Sequence, residues 1–489
     1  MPQRHETTRG IARTSRRALL RSGAGLFAGS IAAQTLSSAA RAQDVGDAAL
    51  VRLQGARRVL IKGAVLLTLD AQVGDFAKGD MLIEDGKIRD VGAEIAASGD
   101  AAVVDGANRI VIPGFVDTHN HSYQGLMRSI VPNGVLEPDY NRDVQAKLSP
   151  AFAPPEVHAG VLMTAIAMID MGITTIVDLS QISHTPEHSD ACVHALQESG
   201  IRAVFAYSRG NPATTQYPQD IARLARSYFS SKDQLLTLAL GAGLDAKIFA
   251  AAREAGVPAV LHLVAPNTSP TFMEFGRAGL LRPGDEYIHC LNLTDDAWKL
   301  IKDSGGNVSQ CPQIDMAMGH GTPSIQEALD RGLRPSLSSD HPVTIAQDFF
   351  TVMRHTFTFQ RSQIFARSRA GEGNLPALMT CRDALEFATI AGARCTNLDR
   401  KIGTLTPGKE ADLVLLRADD PTVWPVNNAP GTVVNMMNPG HVDAVFIAGK
   451  VRKWHGKLIG VDMARVMRLA TEARDSLWRR AGYAVDFMA

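Results

Sequence analysis

Two histidines one residue apart, His119 and His121, stand at the end of the run Phe115-Val116-Asp117-Thr118. In an extended strand, residues i and i+2 point to the same face, so both imidazoles can be aimed at one ion. Three more residues of ligand type follow at wide intervals: His262, His289 and Asp340. Each falls at the end of a short β-rich run. Neutral imidazole nitrogens, three of them with one carboxylate filling a four-ligand site, suit zinc or another borderline divalent metal. A single such histidine is most often a hydrogen-bonded core or surface residue. His119, His121, His262, His289 and Asp340 in this order, at successive strand ends, point instead to a metal centre.

Such a centre needs a scaffold that gathers strand ends. The middle of the chain alternates strand and helix. β-rich runs occupy 173–179, 202–207, 235–240, 258–263, 286–291, 306–310 and 334–338. Helical stretches lie at 156–171, 187–199, 245–255, 294–304 and 324–331. With the strand ending at His119, this is the spacing of an α/β fold, a (β/α)8 TIM-like barrel, whose active groups collect at the C-terminal ends of the strands. Parallel strands are covered on both faces, which accounts for the continuous apolar runs.

Strand-like segments flank this centre at 58–66, 81–91 and 109–112, and again at 411–416, 442–447 and 450–454. Asp85-Gly86 and Gly449-Lys450 are their turn signals. They are expected to pair into a small β-sandwich built from both termini. The expected organisation is a signal peptide over 1–42, a composite β-sandwich over 43–112 and 402–460, a barrel over 113–401 and a C-terminal helix over 461–489.

The chain has 489 residues, 45% of them hydrophobic, with Lys+Arg and Asp+Glu at 50 each. A net charge near zero offers no electrostatic pull toward nucleic acid or an anionic membrane, so the expected partner is a small-molecule substrate. Homo-oligomer formation stays open. Ser15-Arg16-Arg17-Ala18-Leu19-Leu20-Arg21 resembles a twin-arginine export signal. A mildly apolar run and the small residues of Ala40-Arg41-Ala42 follow it. The expectation is contact with the export machinery during maturation and a periplasmic or secreted protein. No other stretch approaches about 18 uninterrupted apolar residues, so no stable membrane span is expected. Cys192, Cys290, Cys311, Cys381 and Cys395 are odd in number and widely spaced, which suits free thiols better than disulfides.

The chain resembles the amidohydrolase superfamily, in the branch of cytosine deaminase, guanine deaminase and the chlorohydrolases, over roughly residues 58–460. The resemblance rests on Pro113 through His121, on Gly200-Ile201-Arg202-Ala203, on Ile288-His289-Cys290 and on Ser309-Gln310-Cys311-Pro312. Ser339-Asp340-His341-Pro342 and Leu405 through Asp412 complete it. It implies that His119, His121, His262 and Asp340 bind the metal. It also implies that His289 hydrogen-bonds water or substrate. Asp340 would then take a proton from the attacking water and hand it to the leaving group. His289 would stabilise charge in the tetrahedral intermediate. The run ending in Leu240-Gly241 carries no lysine to bridge two metals, since Lys247 lies further on. One divalent ion is therefore expected, zinc first, with Fe, Mn or Co as alternatives.

One position departs from the branch. Its deaminases carry His-x-x-Glu, and here the run is His262-Leu263-Val264-Ala265. Alanine moves no proton. That shifts the expectation from ring deamination to hydrolysis of an amide, carbamate or urea-like C–N bond, with a heterocycle deaminase or chlorohydrolase carrying a relocated donor as the alternative. Glu274 and Asp315 are the weak candidates for that donor. A metal-binding scaffold without activity is the remote third reading. Tyr123, Gln124, His184, His289 and His320 are the candidate substrate contacts. His341 is expected to support the site from behind. Met316, Met318, Phe349, Phe350, Met353, Phe357 and Phe359 read as helix packing before pocket wall.

Overall fold

The computed structural model describes residues 48–96, 99–210, 216–264, 268–485 and 487–488. The export signal at 1–42 and Ala265 lie outside the described residues.

The first five strands are β1 (Arg58–Leu66), β2 (Phe76–Glu84), β3 (Lys87–Gly92), β4 (Ala102–Asp105) and β5 (Arg109–Pro113). Between β2 and β3, Asp85 and Gly86 have φ of 50° and 80°. Two successive positive φ values make the tight turn whose twist matches an antiparallel pair.

After Gly114 the chain enters the barrel. Its strands are β6 (Phe115–Asn120), β7 (Ile173–Ser183), β8 (Arg202–Arg209), β9 (Leu236–Ala242), β10 (Ala259–His262), β11 (Glu286–Ile288), β12 (Asn307–Gln310) and β13 (Ser336–Leu337). They hydrogen-bond in sequence order, each parallel to the next. A Cβ at Gly114 would sit 2.1 Å from the Thr174 hydroxyl, so only glycine lets the two backbones approach at this corner. β13 returns to β6 and closes the ring. Asp340 N donates to His119 O at 2.9 Å, His121 N donates to Asp340 O at 2.9 Å, and the Thr118 hydroxyl donates to Leu337 O at 3.0 Å. Three of the proposed metal ligands therefore make the closing backbone bonds.

The last strands are β14 (Leu413–Arg417), β15 (Val442–Ile447), β16 (Lys450–Trp454) and β17 (Lys457–Leu458). β14 pairs antiparallel with β5, which joins both termini into one nine-stranded sheet. The two-ended β unit expected from sequence is present, as one continuous sheet. The helix Phe349–Arg369 lays Phe349 and Phe350 against Phe115 of β6, with ring centroids 5.8 and 5.3 Å apart. Phe349, Phe350, Met353 and Met318 are core residues, whereas Met316 is exposed, so this cluster is packing. Among the described residues no helix is long and apolar enough to cross a membrane.

The motif residues Arg202 and Asp412 explain each other. Arg202 opens β8, and its guanidinium donates to both Asp412 carboxylate oxygens at 2.7 and 2.9 Å and also to Glu410. Arg202 and Asp412 are both buried. Asp412 further accepts from Ala448 N at 2.7 Å. This fork locks the barrel to the segment leading into β14. Removing one partner strands a buried charge, so Asp412→Ala is expected to cost about 3–5 kcal/mol in urea unfolding. A loss below about 1 kcal/mol would show that the fork is not what joins the two parts.

Candidate metal centre

Five side chains meet where the barrel closes. His119 comes from β6 and His262 ends β10. β6 stops at Asn120, so His121 sits just past it, at the start of the short helical turn Ser122–Met127. His289 follows the last residue of β11, and Asp340 lies three residues past β13. His289 and Asp340 have φ of 65° and 61°. A left-handed backbone at a non-glycine residue holds only where the surroundings over-determine it. For His289, the backbone N donates to Ser309 O at 2.8 Å. Its carbonyl accepts from the Gln310 amide at 2.9 Å and the Ser324 hydroxyl at 3.2 Å.

The donor atoms converge. His119 Nε2 lies 3.2 Å from His262 Nε2 and 3.2 Å from Asp340 Oδ1, and His121 Nε2 lies 3.5 Å from the same Oδ1. Two ligands of one tetrahedral centre with bonds of about 2.0–2.1 Å sit roughly 3.3 Å apart. The observed separations match that spacing. His121 Nδ1 faces Leu179 O at 2.9 Å, which commits that nitrogen as the donor and leaves Nε2 for a ligand bond. His119 and Asp340 are buried, and burial pushes His119 down to about 3 and lowers His121 and His262 too. Neutral imidazoles whose lone pairs face one another beside a carboxylate repel one another unless a cation lies between them. The residues fit a divalent cation.

His289 belongs to a second, overlapping group with His119, Cys311 and Asp340, whose ligand atoms lie within 4.8 Å of one another. Its Nε2 stands 3.9 Å from Asp340 Oδ2 and its Nδ1 2.8 Å from Asp315 Oδ1. Burial lowers its basicity, but the Asp315 and Asp340 carboxylates outweigh burial and raise it.

The other candidates are placed as follows. His320 meets the site through Asp315, with Nδ1 at 3.5 Å from Oδ1 and its ring 5.3 Å from that of His289. Tyr123 and Gln124 are fully buried and tied together, since the Gln124 amide donates to the hydroxyls of Tyr123 at 3.1 Å and Tyr140 at 2.8 Å. Tyr123 hydroxyl also pairs with Ser149 at 3.2 Å. His184 Nε2 pairs with Ser149 O at 2.8 Å. Of the two suggested relocated donors, Glu274 is exposed on its helix, and Asp315 is bound to His289. His341 does not continue a strand. It stacks on Tyr140 with centroids 4.9 Å apart.

Sequence reasoning assigned no role to Asp117 or Tyr140. Asp117 accepts from Ser339 N at 3.0 Å and Asn120 Nδ2 at 3.1 Å, and so clamps the loop that carries Asp340. Burial pushes Asp117 up to about 6. A carboxylate two residues before His119, on the same strand face, was the available signal.

The buried histidines set a pH dependence for the metal-free protein. His184 and His341 are lowered to about 4 by burial, alongside the lowered His119, His121 and His262. Unfolded, these rings protonate near 6.5. Between those values the unfolded state binds more protons, so stability rises with pH there and is lost on acidification. Asp117 and Asp178, pushed up from 3.8 to about 6, and Glu286, also raised by burial, act oppositely but are fewer than the lowered histidines. Chelator-treated protein is expected to melt several degrees lower at pH 5 than at pH 7. A Tm that holds or rises would contradict the neutral-imidazole cluster.

A parallel eight-stranded barrel that gathers His119, His121 and His262 at its closing seam, with the Asp340 carboxylate against His119 and His121, defines a metal-dependent hydrolase scaffold. The chain belongs to the Amidohydrolase family, whose profile matches residues 110–452. It is a hydrolase acting on carbon–nitrogen bonds other than peptide bonds. It is 25% identical over 445 residues to a 5'-deoxyadenosine deaminase of Methanosarcina mazei, covering 86% of this chain and 99% of the relative. It is 26% identical to a 5-methylthioadenosine/S-adenosylhomocysteine deaminase of Symbiobacterium thermophilum, covering 81% and 93%. Among solved structures, atrazine chlorohydrolase of Arthrobacter aurescens complexed with zinc superposes with a TM-score of 0.75 at 20% identity, over 85% of this chain and 100% of that one.

Proposed function

We propose that the chain hydrolyses an amide, carbamate or urea-like C–N bond of a small organic substrate. One divalent ion, zinc first, is held by His119, His121, His262 and Asp340. The observation that carries this reading is the convergence of His119, His121 and His262, with His119 Nε2 3.2 Å from both His262 Nε2 and Asp340 Oδ1 and His121 Nε2 3.5 Å from Asp340 Oδ1. When bound, such an ion supplies Lewis-acid activation of water near neutral pH.

The chain's own residues then divide the work. Asp340 turns Oδ1 to His119 and His121 and leaves Oδ2 toward His289. Oδ2 is the atom placed to accept a proton from the attacking water and return it to the departing nitrogen. His289 Nε2, on the same side, faces the charge that develops on the substrate. The left-handed backbone at both residues fixes these aims before substrate arrives. Tyr123, Gln124, His184 and His320 are the proposed substrate contacts or their supports.

A second reading has a specific basis. The curated relatives above are deaminases of adenosine derivatives, and the superposed chlorohydrolase acts on a triazine. Against it stands Ala265 three residues past His262, where the resemblance to the deaminase branch implies a proton-donating glutamate. Zinc-loaded protein offered acetanilide, methyl N-phenylcarbamate and phenylurea beside adenosine and an aminotriazine separates the two. Product amine from the first group supports the main reading. Ammonia from the second group alone replaces it with the alternative.

The twin-arginine reading of Arg16 and Arg17 places the mature chain in the periplasm or outside the cell, folded and metal-loaded before export. Replacing both by lysine is expected to trap the precursor in the cytoplasm. Unchanged compartment and N-terminus would refute it.

A further inference from the structure

We infer that Asp315 is a positioning residue for the reaction: its carboxylate fixes the ring orientation and tautomer of His289, while its backbone carbonyl accepts from His320 N at the same edge of the site. The inference rests on the proposal that His289 faces the substrate.

Asp315 lies in the helix Pro312–Met318, directly after β12, and is completely buried. Its Oδ1 is 2.8 Å from His289 Nδ1 and 3.5 Å from His320 Nδ1. The helix ends at Gly319 with φ 71°, which turns the chain back so that His320 N donates to Asp315 O at 3.1 Å. His320 is thus folded onto the residue it contacts. Both ring nitrogens of His320 and Oδ2 of Asp315 are buried without a hydrogen-bond partner among the described residues. Such groups cost stability unless a ligand or water engages them.

The geometry has one chemical consequence. A carboxylate only accepts, so the nitrogen of His289 that faces Asp315 carries the hydrogen. Nδ1–H is then committed, and Nε2 is the atom left for the reaction centre, 3.9 Å from Asp340 Oδ2. Without Asp315, rotation of the ring about χ2 would exchange a nitrogen for a carbon at that place. His289 is the imidazole of the cluster backed by a second carboxylate besides Asp340. The arrangement is the general one in which a buried acid orients an imidazole and sets which nitrogen is free. Ala265 cannot provide this service. Asp315 does so through His289, from the neighbouring strand end.

The test uses zinc-loaded full-length protein. Wild type is expected to show a downfield ring N–H proton resonance from His289, typical of an imidazole bound to a carboxylate. Asp315→Asn is expected to lose that resonance and keep one equivalent of zinc. Its kcat should fall roughly 100-fold or more, with KM within about threefold. Asp315→Glu should recover part of the rate. His320→Asn should keep the resonance. No downfield resonance in wild type overturns the inference, and this readout does not depend on any variant folding. So does an Asp315→Asn protein with kcat within threefold of wild type, or one that loses rate only in proportion to zinc. If wild type turns over only aminoheterocycles, the proposed substrate class fails. The Asp315 comparison is then read on that reaction, with the resonance unaffected.

Discussion

His119→Ala is expected to abolish metal binding and to lower kcat/KM by at least about 10⁴-fold, some 5.5 kcal/mol of lost transition-state stabilisation. His119 is the hub of the cluster. Its Nε2 stands 3.2 Å from both His262 and Asp340, and its ring lies 4.7–5.7 Å from those of His121, His262 and His289. Deleting it leaves His121, His262 and Asp340 without their common neighbour. The fold should survive, because its contribution to barrel closure is a backbone one: Asp340 N donates to the His119 carbonyl, which alanine retains. Metal analysis and circular dichroism on the same sample check this. Native-like spectra with metal below about a tenth of an equivalent are the expected result. Near-stoichiometric metal in the variant would remove His119 from the ligand set. Two equivalents in wild type would contradict the single-ion site.

Asp340→Asn should separate holding the ion from moving protons. The amide keeps the size of the carboxylate and an oxygen at the ligand position, so zinc at saturating concentration should still bind, more weakly. The amide accepts no proton at neutral pH. Loss of general acid–base help is worth about 10²–10⁴-fold, so kcat should drop roughly 10³-fold with little change in KM. Backbone geometry adds a cost of its own, since φ at Asp340 is 61°. Asparagine tolerates that region as well as aspartate does, which makes it the informative substitution. A kcat within tenfold of wild type, with zinc bound, would show that another group carries the proton.

Both predictions use residues that were legible in sequence. His119 and His121 were readable because a strand repeats every two residues. The eight strands were readable because parallel strands buried on both faces write continuous apolar runs. Arg202 and Asp412 were visible as motif residues, but their pairing spans 210 positions and became physical only as a buried fork. The helix Phe349–Arg369 left its aromatic cluster open between packing and pocket, because burial depends on the neighbour it meets, here Phe115.

The sequence by itself determined the candidate ligand types, their order along the strands and the alanine at 265 on which the proposed chemistry turns. Those are properties of residue type and spacing, which local periodicity records. Only the tertiary structure decided how the set is aimed. The left-handed backbones of His289 and Asp340 have no sequence signature, since neither is glycine. They are imposed by hydrogen bonds donated to the Ser309 and His119 carbonyls and accepted from Gln310 and Ser324, on other strands and loops. The Asp315–His289 pair and the His341–Tyr140 stack join residues brought together by barrel closure. A site made where a ring of strands shuts is fixed by contacts far apart in the chain, and no local pattern encodes them.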